Sequence, residues 1–183
     1  MNRAALQAML NTAERNGLFL FATNDFRKFF PEESPKSLEK SLARMVTSQA
    51  LSQPCKGLYL NPQYAARSPG NILEYVARKL RSASLCYVSL ESMLSEYGVI
   101  SQVPMGRLTV MTTGAPGEFH TLYGIIEFTH TKRSVPDILK RTFYTPERPL
   151  RRAYKKAAAQ DLRRVGRNVE MMDLDELDDD PSV

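Results

Sequence analysis

The sequence predicts an α+β fold: an N-terminal winged helix-turn-helix over residues 1–65, then a small mixed α/β domain over 66–183. Two observations carry this. Three helical apolar spacings are followed by a short ribbon before residue 61, and strand-like runs cluster after residue 107. A length of 183 residues admits one ordinary domain or two small ones and excludes a barrel of about 250 residues. Hydrophobic residues make up 43% of the chain, enough for a packed core.

The first helix spans 3–16. Ala5, Leu6, Met9, Leu10 and Ala13 recur at helical spacing, and Gly17 supplies a left-handed stop. Residues 18–21 read as a strand or an extended link. Thr23 or Asn24 caps a short second helix carrying Phe26 and Phe29, which Phe30-Pro31 closes. Ser34-Pro35 is an N-cap followed by proline at the first helical position, so the third helix runs from 35 to about 49. Leu38, Leu42 and Met45 form its buried stripe, flanked by Val46 and Gln49. Residues 51–53 and 58–60 then make a ribbon around a turn at 54–57.

In that plan the third helix is the candidate for insertion into a DNA major groove. Lys36, Ser37, Lys40, Ser41 and Arg44 offer cations and small hydroxyls to phosphates and base edges, and Lys56 marks the tip of the wing. A winged helix used only for protein contact has the same pattern, and Arg44 equally reads as a solvated surface residue.

Residues 64–70 read as a linker. A helix follows over 71–81, with Ile72, Leu73, Val76, Ala77 and Leu80 inward. Tyr87-Val88 leads to Ser89, a cap for a helix over 90–97 that Gly98 ends. Strands are expected over 107–113, 119–123 and 125–129, with a turn at 114–117. A long basic helix is expected over 150–165, after Pro149. In 169–177, Met172, Leu174 and Leu177 alternate with acids.

The net charge of +5 is unevenly distributed. Residues 1–65 hold 8 basic and 5 acidic groups, 66–172 hold 17 and 9, and 173–183 hold none and 6. The stretch 132–167 alone holds 12 basic and 3 acidic groups, which suits a polyanion partner. A solvated helix face with a solubilising acidic tail is the alternative. The tail acids could also compete with DNA for the basic helix.

Catalytic and metal patterns are weak. Two cysteines, Cys55 and Cys86, exclude a disulfide scaffold and a self-contained thiolate zinc site. Residues 114–117 lack the Gly-Lys-Ser/Thr of a phosphate loop. His120 with Glu118, and Glu127 with Thr129, read as strand-face residues. No enzyme activity, cofactor or metal is therefore expected. No run approaches the ~20 apolar residues of a membrane helix, and no signal peptide is legible. With free cysteines, the expectation is a cytoplasmic protein.

The ordered pieces then resemble a known family. They are SPKSLEKSLARMVTSQAL at 34–51 with KGLYLNP at 56–62, and YVSLESMLSEYGVISQVP at 87–104. RLTVMTTGAPGEF at 107–119, GIIEFTH at 124–130, TPERPL at 145–150 and AQDL at 159–162 follow. This order is similar to that of the AbiEi antitoxins, transcriptional-repressor partners in type IV (abortive infection) toxin–antitoxin systems of phage defence. Lys56 stands where the family wing usually has arginine, and 151–156 is more basic than in the family.

The resemblance implies a winged helix that binds inverted repeats of double-stranded DNA in its own promoter. It also implies a second domain needed to neutralise a nucleotidyltransferase-like toxin, a neutralisation that does not require direct contact with it. On that reading Arg151, Arg152, Lys155 and Lys156 give a salt-dependent phosphate surface. The alternative is a protein-interaction module whose basic second domain docks an acidic partner.

Overall fold

The computed structural model describes residues 1–67, 71–101 and 106–178. It shows a mixed α/β fold with N-terminal helices followed by a β-rich region, in two compact units, Met1–Ile72 and Leu73–Val183.

The first unit contains α1 (Arg3–Arg15), β1 (Leu20–Ala22), α2 (Thr23–Phe29), α3 (Pro35–Thr47), β2 (Ser52–Cys55), β3 (Leu58–Leu60) and α4 (Pro62–Arg67). The strands form an antiparallel sheet in the order β1-β3-β2, with Leu60 opposite both Leu20 and Ser52. Leu6, Met9 and Leu10 of α1 pack with Phe26 of α2 and with Leu38, Leu42 and Met45 of α3. Tyr59 of β3 closes this core, its ring edge-on to Phe26 at 5.5 Å. Each α3 core side chain is one helical turn from the next, so one stripe faces inward.

Local signals set most of these boundaries. Asn2 caps α1 by accepting from the Ala5 N–H at 2.8 Å. Gly17 has φ +71°, the left-handed stop that its sequence position predicts. Three details differ from expectation. The N-cap of α2 is Ala22, whose N–H donates to Asp25 at 2.8 Å, rather than Thr23 or Asn24. The hairpin turn is the pair Lys56-Gly57, with Gly57 at φ +80°, and Pro54 belongs to β2. The expected linker is helical as far as Arg67, and 68–70 lie outside the described residues.

The second unit contains most of α5 (Ile72–Leu80), then β4 (Cys86–Val88), α6 (Leu90–Glu96), β5 (Arg107–Thr112), β6 (Gly117–Thr121) and β7 (Gly124–His130). It continues with α7 (Val135–Arg141), β8 (Thr142–Phe143), β9 (Arg151–Ala153), α8 (Lys155–Val165), a 3-10 turn (Val169–Met171) and α9 (Leu174–Asp178). Its six strands are ordered β6-β7-β5-β4-β9-β8. β5 with β7 and β4 with β9 are parallel pairs, and the others are antiparallel. Val88, Val110, Ile126 and Ala153 from four strands are fully buried, as are Leu94 of α6 and Leu162 of α8.

The expected helix over 150–165 is corrected. It starts at Lys155, because Arg151 to Ala153 pair with β4 and β8 instead. This long-range pairing overrides the helical propensity of an arginine- and alanine-rich run. The acidic segment does not hang free as far as it is described. Met172 and Leu177 are buried, Asp173 donates its N–H to the Val99 carbonyl at 2.8 Å, and Lys155 Nζ donates to the Glu176 carbonyl at 2.9 Å. Among the described residues, no helix is long and apolar enough to cross a membrane.

Candidate functional site

Because Leu38, Leu42 and Met45 turn one side of α3 inward, the opposite side is left to solvent. Lys36, Lys40, Ala43 and Thr47, at i, i+4, i+7 and i+11, form an exposed row. Ser37 and Arg44 are exposed along its flank. The helix begins cleanly: Ser34 Oγ accepts from the Ser37 N–H at 3.2 Å, and Pro35 occupies the first turn. The positive end of the helix therefore lies beside Lys36, in its first turn.

Lys36, Ser37, Lys40, Ser41 and Arg44 all line one open pocket of about 510 Å³, together with Met1, Glu33 and Ser34. Glu33 is the anion of this pocket. It accepts from Ser37 Oγ at 2.6 Å and pairs with the Met1 ammonium, while Arg44 donates to the Met1 carbonyl at 3.3 Å. The Ser37 hydroxyl is thus already committed, whereas Lys36 and Lys40 have no bonding partner among the described residues. Lys56, at the hairpin tip, is also exposed.

Ser41 requires correction as a surface contact. It is 6% exposed and reaches solvent only through the pocket, because it lies three residues after Leu38 and four before Met45, within the buried stripe. Three exposed residues of the face, Glu39, Ala43 and Thr47, escaped the reading of the sequence. The signal was there: each lies three, seven or eleven residues after Lys36.

The cations of the second unit are treated differently. Arg151 donates to the hydroxyl and carbonyl of Thr142 at 2.8 and 2.7 Å. Arg152 donates to Thr145 at 3.2 Å and stacks its guanidinium 4.6 Å from the Phe143 ring centre. Lys155 is buried, so these three expected phosphate contacts have donors directed inward. Of the four expected here, Lys156 alone is exposed.

The same holds elsewhere in that unit. Asp161, 1% exposed, accepts from Tyr87 and Ser89 at 3.0 Å each, and from Arg133 and Arg141 at 3.2 Å each. Ser89, expected to cap α6, uses its hydroxyl here instead. Burial first, and the neighbouring Asp161 second, push the Tyr87 phenol well above its ordinary range, so it stays a donor. Arg148 bridges Glu74 and Glu96, and Arg167 bridges Glu91 and Glu127. Among the described residues, no group of three or more His, Cys, Asp or Glu side chains could hold a metal ion.

No protein-family model, curated protein or solved structure matches this chain.

Proposed function

We propose that the protein is a sequence-specific DNA-binding transcriptional repressor. In this reading it acts as the antitoxin of a type IV toxin–antitoxin system in the cytoplasm and regulates its own operon. The first unit is a winged helix-turn-helix, with α3 as recognition helix and the β2–β3 hairpin as wing. The observation that carries the reading is the solvent face of α3. It presents Lys36, Lys40 and Arg44 on a helix whose other side is locked into the core. A rigid cationic helix of this kind fits a major groove, with the lysines and the arginine reaching guanine edges and phosphates. Lys56 supports the wing contact.

The second unit takes the antitoxin role without chemistry of its own. Its exposed Lys132, Lys140, Lys156, Arg163 and Arg164 add long-range attraction to DNA.

A gel shift on the duplex upstream of the gene tests the DNA reading. Replacing Lys40 and Arg44 with Ala lowers specific affinity by roughly 10-fold or more, since each base contact is worth about 1–3 kcal/mol. Unchanged affinity and specificity would remove the assignment. Co-expression with the neighbouring gene tests the antitoxin role. Growth arrest by that gene, relieved by this one, is the expected outcome.

A further inference from the structure

The exposed row of α3 has two chemically distinct halves. Lys36 and Lys40 occupy the N-terminal half, and Ala43 and Thr47 the C-terminal half. Thr47 spends its hydroxyl inside the helix, donating to the Ala43 carbonyl at 3.1 Å. The γ-methyl is then the group it offers outward, beside the β-methyl of Ala43. The apolar half is one turn long, about 6 Å, close to two base-pair steps of about 3.4 Å.

We infer that Ala43 and Thr47 read the C5-methyl groups of two pyrimidines in the major groove. This rests on the DNA-binding reading and adds a ligand chemistry to it. The C5-methyl of thymine is the apolar group that the major groove displays, and 5-methylcytosine places a methyl at the same position. Lys36 and Lys40 point one turn further toward the start of the helix, where acceptor-rich guanine edges would meet them. Half-sites therefore combine methylated pyrimidines under 43 and 47 with guanines under 36 and 40. Ser41 is excluded from this readout by its place on the buried stripe.

The test isolates the methyl groups. The duplex upstream of the gene is amplified once with thymidine and once with deoxyuridine triphosphate, which removes each thymine methyl and keeps the pairing. Wild-type protein is expected to bind the uracil duplex about 15-fold more weakly for each half-site, at about fourfold for each of its two buried methyls. In the Ala43→Ser/Thr47→Ser variant, which keeps the Thr47 hydroxyl bond, the two duplexes are expected to bind alike. The inference is overturned if wild type binds both duplexes equally while Lys40 and Arg44 remain essential, an outcome that leaves the DNA reading standing. It is also overturned if the double variant keeps the full penalty. Absence of specific binding to the thymine duplex overturns the DNA reading and this inference together. Circular dichroism on the variant confirms that α3 is intact in each case.

Discussion

The two units handle positive charge in opposite ways. The first carries a small cationic excess and displays most of it: Lys36, Lys40 and Lys56 are exposed, and Arg44, also exposed, spends one bond on the Met1 carbonyl. The second carries the larger excess and consumes much of it. Arg133 and Arg141 share Asp161, Arg148 bridges two glutamates, Arg167 bridges two more, and Lys155 is tied to a backbone carbonyl. A charge count along a chain therefore says little about where a polyanion would bind. What matters is whether each guanidinium or ammonium has already found its acceptor inside the fold.

The comparison breaks most sharply at Asp161. Replacing it with Ala leaves Arg133, Arg141, Tyr87 and Ser89 without their shared acceptor. The expected loss is about 3–5 kcal/mol of stability, read as a drop in urea midpoint. The Lys36→Ala and Lys40→Ala changes in the first unit should alter stability, read the same way, by no more than about 0.5 kcal/mol, because both side chains are solvated. If Asp161→Ala melts like wild type, the second unit does not depend on its internal pairing.

Salt dependence sharpens the contrast. If Lys56 meets a phosphate, Lys56→Ala should reduce the slope of log affinity against log salt by about 0.9. Arg151→Ala should leave that slope unchanged, since its guanidinium is bonded to Thr142. A reduced slope for Arg151→Ala would place that side chain on the DNA.

The two thiols provide a smaller, local readout, one in each unit. Burial pushes both Cys55 and Cys86 upward in pKa, and Cys86 is the more enclosed. Iodoacetamide at neutral pH should therefore label Cys55 before Cys86. Asp161→Ala should speed labelling at Cys86 and leave Cys55 unchanged. The smallest effect belongs to Ser41→Ala, expected within about 0.5 kcal/mol of wild type in both stability and DNA binding. A large loss of affinity would return Ser41 to the contact surface.

The first unit is legible in sequence because its signals are local. Ser34-Pro35 starts α3, Gly17 ends the α1 turn, and Leu38, Leu42 and Met45 mark the inward stripe. Lys36, Lys40 and Arg44 follow as its complement, whereas Ser41 is a polar residue on the buried stripe, where residue type alone does not reveal burial. The second unit is less legible because its decisive partners are remote in sequence. β4, β8 and β9 are two or three residues long and exist through pairing, so no periodicity announces them. Nor does anything near Arg148 or Arg167 reveal Glu74 or Glu91, each more than seventy residues upstream.

The parallel pairing of β4 with β9 also carries a consequence for synthesis. Val88 lies opposite Arg152, so β4, one of the sheet's two central strands, waits for its second neighbour while about 64 more residues are made. At roughly 5–20 residues per second, that interval is about 3–13 s. Throughout it the first unit, already emerged, is free to settle, whereas β4 has an unpaired edge. A nascent chain stalled before Ala153 would expose that edge to any passing strand, making the newborn second unit the place where misassembly begins.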